Sequence, residues 1–169
     1  YSQGNGSFDS VQKGIDLIEH AIAELPKDAY QLVLLGTGSP KQVSILEHLA
    51  MTHRHIAFVH TFDERLARRI YAGADVLLVP SKFEPCGLTQ MIAMRYGTLP
   101  LVRKTGGLAD SVRDGENGFV FGAYTGAALV GAMKKVISLF QKKPNTWQAM
   151  IQHAMKTDFS WDKSAKEYL

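Results

Sequence analysis

Residues 80–90, PSKFEPCGLTQ, place a carboxylate, a cysteine and a glycine directly after an apolar run. Pro80 and Pro85 restrict the backbone around Glu84, so its carboxylate is held in the loop with little further loss of loop entropy. Gly87 lets the backbone approach a ligand closely where the next helix is predicted to begin. The amides of this helix start would present the positive end of the helix dipole. They belong to Cys86, Gly87, Leu88 and Thr89.

A carboxylate beside such a helix start suits a sugar phosphate. The carboxylate accepts hydrogen bonds from sugar hydroxyls, and the amides bind hydroxyls or phosphate oxygens. A capped helix with an exposed acid on the preceding turn explains the same spacing equally well. Spacing alone therefore leaves both interpretations open.

The loop GTGSP (36–40) offers small residues and free amides at another predicted helix start. Gly36, Thr37 and Gly38 suit a phosphate or a ribose. The loop lacks the third glycine and the downstream acid of a full dinucleotide fingerprint, so a tight turn before a capped helix is an equally good interpretation.

The loop RKTGG (103–107) combines two cations with Thr105, Gly106 and Gly107 close to a helix start. It is interpreted either as a second anion site or as a flexible turn. Lys13 lies at the start of the first predicted helix, where its ammonium could point toward the same crevice. Alone it is weak evidence, because most lysines at helix starts are solvated.

Apolar runs alternate with helical periodicity along the chain, and these elements position the loops. Strands are predicted at 31–36, 55–60, 75–80, 98–103 and 117–121. Helices are predicted at 11–25, 39–53, 63–74, 87–97, 106–112, 126–140 and, after a break at Pro144, 146–155. Ser39 is the predicted N-cap of the second helix, and Pro40 its first residue.

Strands that are apolar on both faces and separated by helices require a mainly parallel sheet covered on both sides. The fold class is therefore α/β, a Rossmann-like doubly wound domain. Ligands of such folds bind beyond the carboxyl ends of the strands, where the loops described above lie.

Composition limits the classes of function. The 169 residues suffice for one domain with a full core, and 46% hydrophobic and 21% charged residues are typical of soluble globular proteins. A net charge of +3 from scattered basic residues does not indicate nucleic-acid binding. No apolar stretch approaches the roughly 18 residues of a membrane span.

Residues 1–10 are interpreted as a protease-site and linker remnant, which makes 11–169 look like a piece cut from a larger protein.

Three further groups of residues could suggest a functional site, but the sequence favours a structural role for each. Cys86 is predicted to be a small buried side chain, because no general base is identifiable nearby to activate it as a nucleophile. The histidines at 53, 55 and 60 lack a carboxylate or cysteine that would complete a metal site. The aromatic residues of the tail are predicted to pack rather than bind; they are Trp147, Phe159 and Trp161.

The segment KFEPCGLTQMIAMRYGTLPLVRKTGGLADSV resembles the signature of bacterial glycogen synthases and plant starch synthases. QKGIDLI, LGTG, YAGADVLLVPSKFEPCGLTQ, NGFVF and DFSWDKSAKEYL follow in the order of that family, so the resemblance covers about 11–169. It implies the C-terminal half of a two-domain GT-B fold. It also implies a retaining enzyme that moves glucose from ADP-glucose to the non-reducing end of an α-1,4-glucan. The N-terminal half, which contributes most of the acceptor surface, would be absent here.

The resemblance also implies roles for single residues. Glu84 matches the glutamate that lies against the glucosyl unit, and Lys13 matches the lysine that neutralises the diphosphate. The amides of residues 86–89 match a cradle for sugar hydroxyls and phosphate, and Gln90 occupies the end of that motif. Phe62 matches an aromatic position near the adenine that is normally a tyrosine.

The resemblance further implies no metal or cofactor, no nucleic-acid partner, and a cytoplasmic location, or a plastid one in a plant. One position departs from the family, because Phe8 stands where an arginine partners the lysine on the diphosphate. Alternatives are a binding module without turnover, a retaining GT-B transferase that uses UDP-sugars and, least favoured, an NAD-dependent oxidoreductase.

Overall fold

Helices and parallel strands alternate along residues 13–160, the part of the chain that the computed structural model describes. The first elements are α1 (Ile15–Glu24), β1 (Leu32–Gly36), α2 (Pro40–Thr52), β2 (Ile56–His60), α3 (Glu64–Gly73) and β3 (Val76–Val79). The remaining ones are α4 (Thr89–Arg95), β4 (Leu99–Arg103), α5 (Gly106–Ser111), β5 (Phe119–Phe121), α6 (Gly126–Lys142) and α7 (Pro144–Lys156). Each predicted strand and helix is present, and only the ends differ.

Helix ends follow the predicted capping chemistry. The Ser39 hydroxyl accepts from the Gln42 amide, while the Gln42 side chain accepts from the Ser39 amide at 2.8 Å, so α2 begins with a reciprocal capping box. Pro40 is its first residue, as predicted. Pro144, predicted as a break, is the first residue of α7, where the missing N–H leaves no hydrogen bond unmade.

The strands are parallel and form two hydrogen-bonded groups. In the first, β1 pairs with β2, with Leu32 opposite Ile56. In the second, β4 lies between β3 and β5. The predicted α/β class with parallel strands is confirmed, and the carboxyl ends within each group point the same way. Among the described residues no hydrogen-bonded ladder joins the two groups.

Helix α1 connects the two groups through two sides of its surface. Leu17 and Ala21 belong to the larger core cluster, which is built around β3, β4 and β5. Ile18 and Ile22 belong to the smaller cluster, together with Ile56 of β2. Because α1 packs into both clusters, the position of its N-terminus is fixed relative to β3. Lys13 lies at that N-terminus.

A cleft of 810 Å³ lies between β1 and β3, lined among others by Tyr30, His55, Tyr71 and Trp147. The rings of Tyr30 and His55 meet edge to face with centroids 5.0 Å apart. Burial lowers the pKa of His55, and the nearby charges of His53 and Lys27 lower it further. Trp147 is only 4% exposed, which confirms its predicted packing role. None of the residues that line this cleft belongs to the loop at 80–90.

Candidate functional site

Lys13 and Glu84 are brought together although 71 positions separate them in the sequence. Lys13 Nζ lies 2.8 Å from Glu84 Oε2, and the Ser81 hydroxyl donates to the same oxygen at 3.3 Å. The Lys13 side chain is 38% exposed and that of Glu84 is 18% exposed, so both charges are at the surface of a crevice. The structure thus places the Lys13 ammonium in the crevice that contains the Glu84 loop, and its role toward a ligand stays a prediction.

Gly14 makes this approach possible. Its φ of +75° lies in the left-handed region, and a Cβ there would overlap the carbonyl oxygen of Pro80. The start of α1 therefore lies directly against the carboxyl end of β3. A glycine follows Lys13 because a residue with a Cβ would be strained in this conformation and would overlap Pro80.

Replacing Gly14 by alanine is expected to lower the free energy of unfolding by about 2–4 kcal/mol, from left-handed strain and overlap with Pro80. Gly131→Ala is the matched control, since Gly131 lies inside α6 with nothing within 4 Å of the added methyl. That change is expected to stabilise by about 0.5–1 kcal/mol. Urea unfolding of both variants measures the difference. Equal stability of Gly14→Ala and the parent would contradict the close contact.

The glycine pair at 106–107 packs directly on the loop of Glu84. A Cβ on Gly106 would overlap the carbonyl oxygen of Glu84, and one on Gly107 would overlap that of Cys86. The Gly107 amide donates to the carbonyls of Glu84, at 3.2 Å, and Pro85, at 3.1 Å. The two glycines therefore fix the backbone of this loop. An anion-binding role of Thr105, Gly106 and Gly107 stays a prediction.

Gln90 fixes the same turn from inside. Its side chain is fully buried, and Nε2 donates to the Gly87 carbonyl at 2.7 Å and to the Ser111 hydroxyl at 3.0 Å. Oε1 has no hydrogen-bond partner among the described residues. The structure thus places Gln90 beneath the turn, where it orders the backbone. Its predicted contact with substrate stays a prediction.

The turn leaves backbone donors available. Leu88 precedes α4 without a side-chain capping bond, and the amides of Gly87, Leu88 and Thr89 find no acceptor within residues 13–160. Gly87 has a φ of +68°, which only glycine adopts without strain. The turn therefore presents the predicted N–H groups near the Glu84 carboxylate, and their ligand stays a prediction.

The prediction that Cys86 is buried is wrong, because its side chain is exposed. The backbone carbonyl of Cys86, in contrast, packs against Gly107. The general tendency of unpaired cysteines to be buried is overridden here by the conformation of the turn.

The other predicted binding residues lie at the ends of β1 and β2. Gly36 ends β1, and Thr37 and Gly38 after it are exposed. Phe62 follows β2 with 84% of its surface exposed. Within residues 13–160, no hydrogen bond or ion pair joins these positions to Glu84. The structure brings Lys13 and the loops at 84–87 and 105–107 together, and leaves the nucleotide roles of Phe62 and 36–38 as predictions.

Phe8 and Trp161 lie outside the described residues, as do the linker predicted at 1–10 and the end of the tail. Phe159, predicted to pack, is 37% exposed. Among residues 13–160 no group of three or more His, Cys, Asp or Glu side chains is arranged to hold a metal ion. The same residues contain no helix long and apolar enough to span a membrane.

Residues 6–156 match the model of the family described as glycosyl transferases group 1. The chain is 46% identical to a glycogen synthase from Thermodesulfovibrio yellowstonii, covering 94% of this chain and 32% of that protein. It is 49% identical to a glycogen synthase from Deinococcus radiodurans, covering 94% of this chain and 35% of that protein.

A solved structure, the catalytic domain of starch synthase IV from Arabidopsis thaliana bound to ADP and acarbose, superposes with a TM-score of 0.84 at 38% identity. The match covers 94% of this chain and 35% of that one. The chain thus spans about a third of the length of the curated relatives it matches. With the family model matched over most of its length, the chain belongs to the glycosyl transferases group 1 family and is similar to glycogen and starch synthases.

Proposed function

We propose that this chain is the nucleotide-sugar-binding domain of a glycogen or starch synthase, which transfers glucose with retention from ADP-glucose to an α-1,4-glucan. The observation that carries the proposal is the contact of 2.8 Å between Lys13 and Glu84 at the carboxyl end of β3. A nucleotide sugar carries a dianionic diphosphate directly beside a sugar with several hydroxyls. The Lys13 cation complements the diphosphate, and the Glu84 carboxylate complements the sugar hydroxyls. The two side chains are adjacent, as are the two parts of the ligand.

Each charged residue has a distinct role in the proposed reaction. Lys13 neutralises the negative charge that develops on the diphosphate as the bond to the anomeric carbon breaks. The free amides at 87–89 act on the same charge as preorganised donors. Glu84 accepts sugar hydroxyl hydrogen bonds and stabilises the positive charge at the anomeric carbon.

Retention is proposed to proceed by attack from the same face. The acceptor hydroxyl oxygen bonds to the anomeric carbon as the leaving phosphate oxygen departs, and the hydroxyl proton passes to that phosphate oxygen. Atoms and charge balance without a covalent enzyme intermediate. The acceptor glucan is proposed to bind mainly to a part of the protein outside this chain, so closure of two domains would assemble the complete site.

The test compares this chain with a full-length protein that contains it. Glucosyl transfer to glycogen is expected from the full-length protein only, and the chain alone is expected to bind ADP without turnover. Calorimetric titration with ADP and UDP checks the nucleotide, and ADP is expected to bind more tightly. Full activity of the chain alone would overturn the split site, and tighter binding of UDP would favour a transferase that uses UDP-sugars.

A further inference from the structure

Arg103, the last residue of β4, directs its guanidinium onto the backbone of the loop that carries Glu84. Nε donates to the Ser81 carbonyl at 2.8 Å, and Nη2 donates to the next carbonyl, that of Lys82. Ser81 is only 1% exposed, and its hydroxyl donates to Glu84 Oε2. Arg103 therefore binds the backbone of a residue whose side chain is a direct hydrogen-bond partner of the Glu84 carboxylate.

Tyr124 continues this network toward α1. The Arg103 guanidinium carbon lies 5.6 Å from the centre of the Tyr124 ring, and Lys82 Nζ lies 5.8 Å from it. The Tyr124 hydroxyl donates to Asp16 Oδ1 at 2.7 Å, and Asp16 lies in the first turn of α1. Since Lys13 stands at the start of α1 and pairs with Glu84, these contacts close a ring around the two charged groups.

The chemistry of the side chain explains why an arginine stands at this position. Two successive carbonyls need two donors held at a fixed separation, which a planar guanidinium supplies and a single ammonium does not. The cation also lies over the tyrosine ring, while its N–H groups donate to the carbonyls. The sequence left an anion site and a flexible turn open for the loop at 103–107; in the structure, two N–H groups of Arg103 are engaged by protein oxygens.

We propose that Arg103 is a positioning residue, which with Tyr124 fixes the loop of Glu84 relative to α1, the helix that follows Lys13. The proposal rests on the proposed function, since it assigns the network to the transfer step. Misplacement of a reacting group by about 1 Å costs about 10²-fold in rate. A loop without its guanidinium anchor would keep Glu84 but lose the fixed distance to Lys13.

The experiment uses the full-length protein with Arg103→Met, and Arg113→Met as the control, because Arg113 forms an exposed ion pair with Glu116. Arg103→Met is expected to lower kcat about 10²-fold with the Kd for ADP unchanged. Arg113→Met is expected to leave both unchanged. In a Glu84→Gln background, whose residual turnover is measured with labelled ADP-glucose, Arg103→Met is expected to have no further effect. Arg103→Lys is expected to restore little, since one ammonium cannot bind both carbonyls.

Tyr124→Phe gives an independent arm that keeps the ring and removes the hydroxyl that donates to Asp16. It is expected to lower kcat about tenfold in the wild type and to have no further effect in the Glu84→Gln background. If Arg103→Met does not fold, this variant tests whether the network positions Glu84. If Arg103→Met or Tyr124→Phe lowered kcat by the same factor in the wild type and in the Glu84→Gln background, the role of the substituted residue would be merely structural. Weaker ADP binding with kcat unchanged would make Arg103 a direct ligand, and either result overturns the proposal. A full-length wild type without transfer activity would instead overturn the proposed function.

Discussion

Replacing Glu84 by glutamine in the full-length protein is expected to lower kcat by about 10²–10³-fold while the Kd for ADP stays unchanged. Glutamine keeps the size of the side chain and one acceptor oxygen, so sugar hydroxyls still find a partner. It removes the negative charge that the proposed mechanism sets against the positive anomeric carbon. The loss therefore falls on the transition state, and the separate kcat and KM values from glucosyl transfer assays measure it.

Glu116→Gln is the matched control for this change. Glu116 is also a glutamate in an ion pair, with Arg113 at 3.6 Å, but its side chain is 53% exposed and lies on another turn. That variant is expected to retain full turnover. Partly exposed ion pairs contribute only about 0–1 kcal/mol, so neither variant is expected to lose its fold, which thermal unfolding checks. Turnover of Glu84→Gln equal to that of the wild type would remove Glu84 from the site.

The elements of the fold were predictable because they depend on local chemistry. Apolar runs of four to six residues and the Ser39-Pro40 start are read from neighbouring residues, and the structure confirms them. Parallel pairing then follows from the helices between the strands. The division of the strands into two groups was not predictable, because it depends on how α1 fills the space between two cores.

The site was predictable only in part. The residue types of the Glu84 loop and of Lys13 indicated a common crevice, since loops at the carboxyl ends of parallel strands converge. The exposure of Cys86 and the hydrogen bonds of Arg103 depend on where backbone carbonyls point. The pattern of side chains in the sequence does not encode these directions. The Cys86 carbonyl packs against Gly107 while its side chain is exposed, and the Ser81 and Lys82 carbonyls accept from the guanidinium. Tyr124 gave no signal, because its partner Asp16 is 108 residues distant.

Replacing Lys13 by methionine is expected to impair binding as well as turnover, which distinguishes it from the change at Glu84. The diphosphate is charged before and during the reaction, so its cation contributes to both states. Loss of one charge-assisted hydrogen bond of about 1.5–3 kcal/mol corresponds to about a 10- to 150-fold fall in kcat/KM. Titration with ADP is expected to show much of this loss as a higher Kd.

Lys135→Met is the control, because Lys135 pairs with Asp114 at 2.9 Å, nearly the same distance, in a more exposed position. It is expected to leave kcat/KM and the Kd for ADP unchanged. Combining Lys13→Met with Glu84→Gln tests the contact itself. Because Lys13 and Glu84 contact each other, each single change also alters the surroundings of the other group, so the two effects are expected to combine less than additively. Strict additivity would mean that Lys13 and Glu84 act on the nucleotide sugar independently, and that their contact is only a feature of the unliganded crevice.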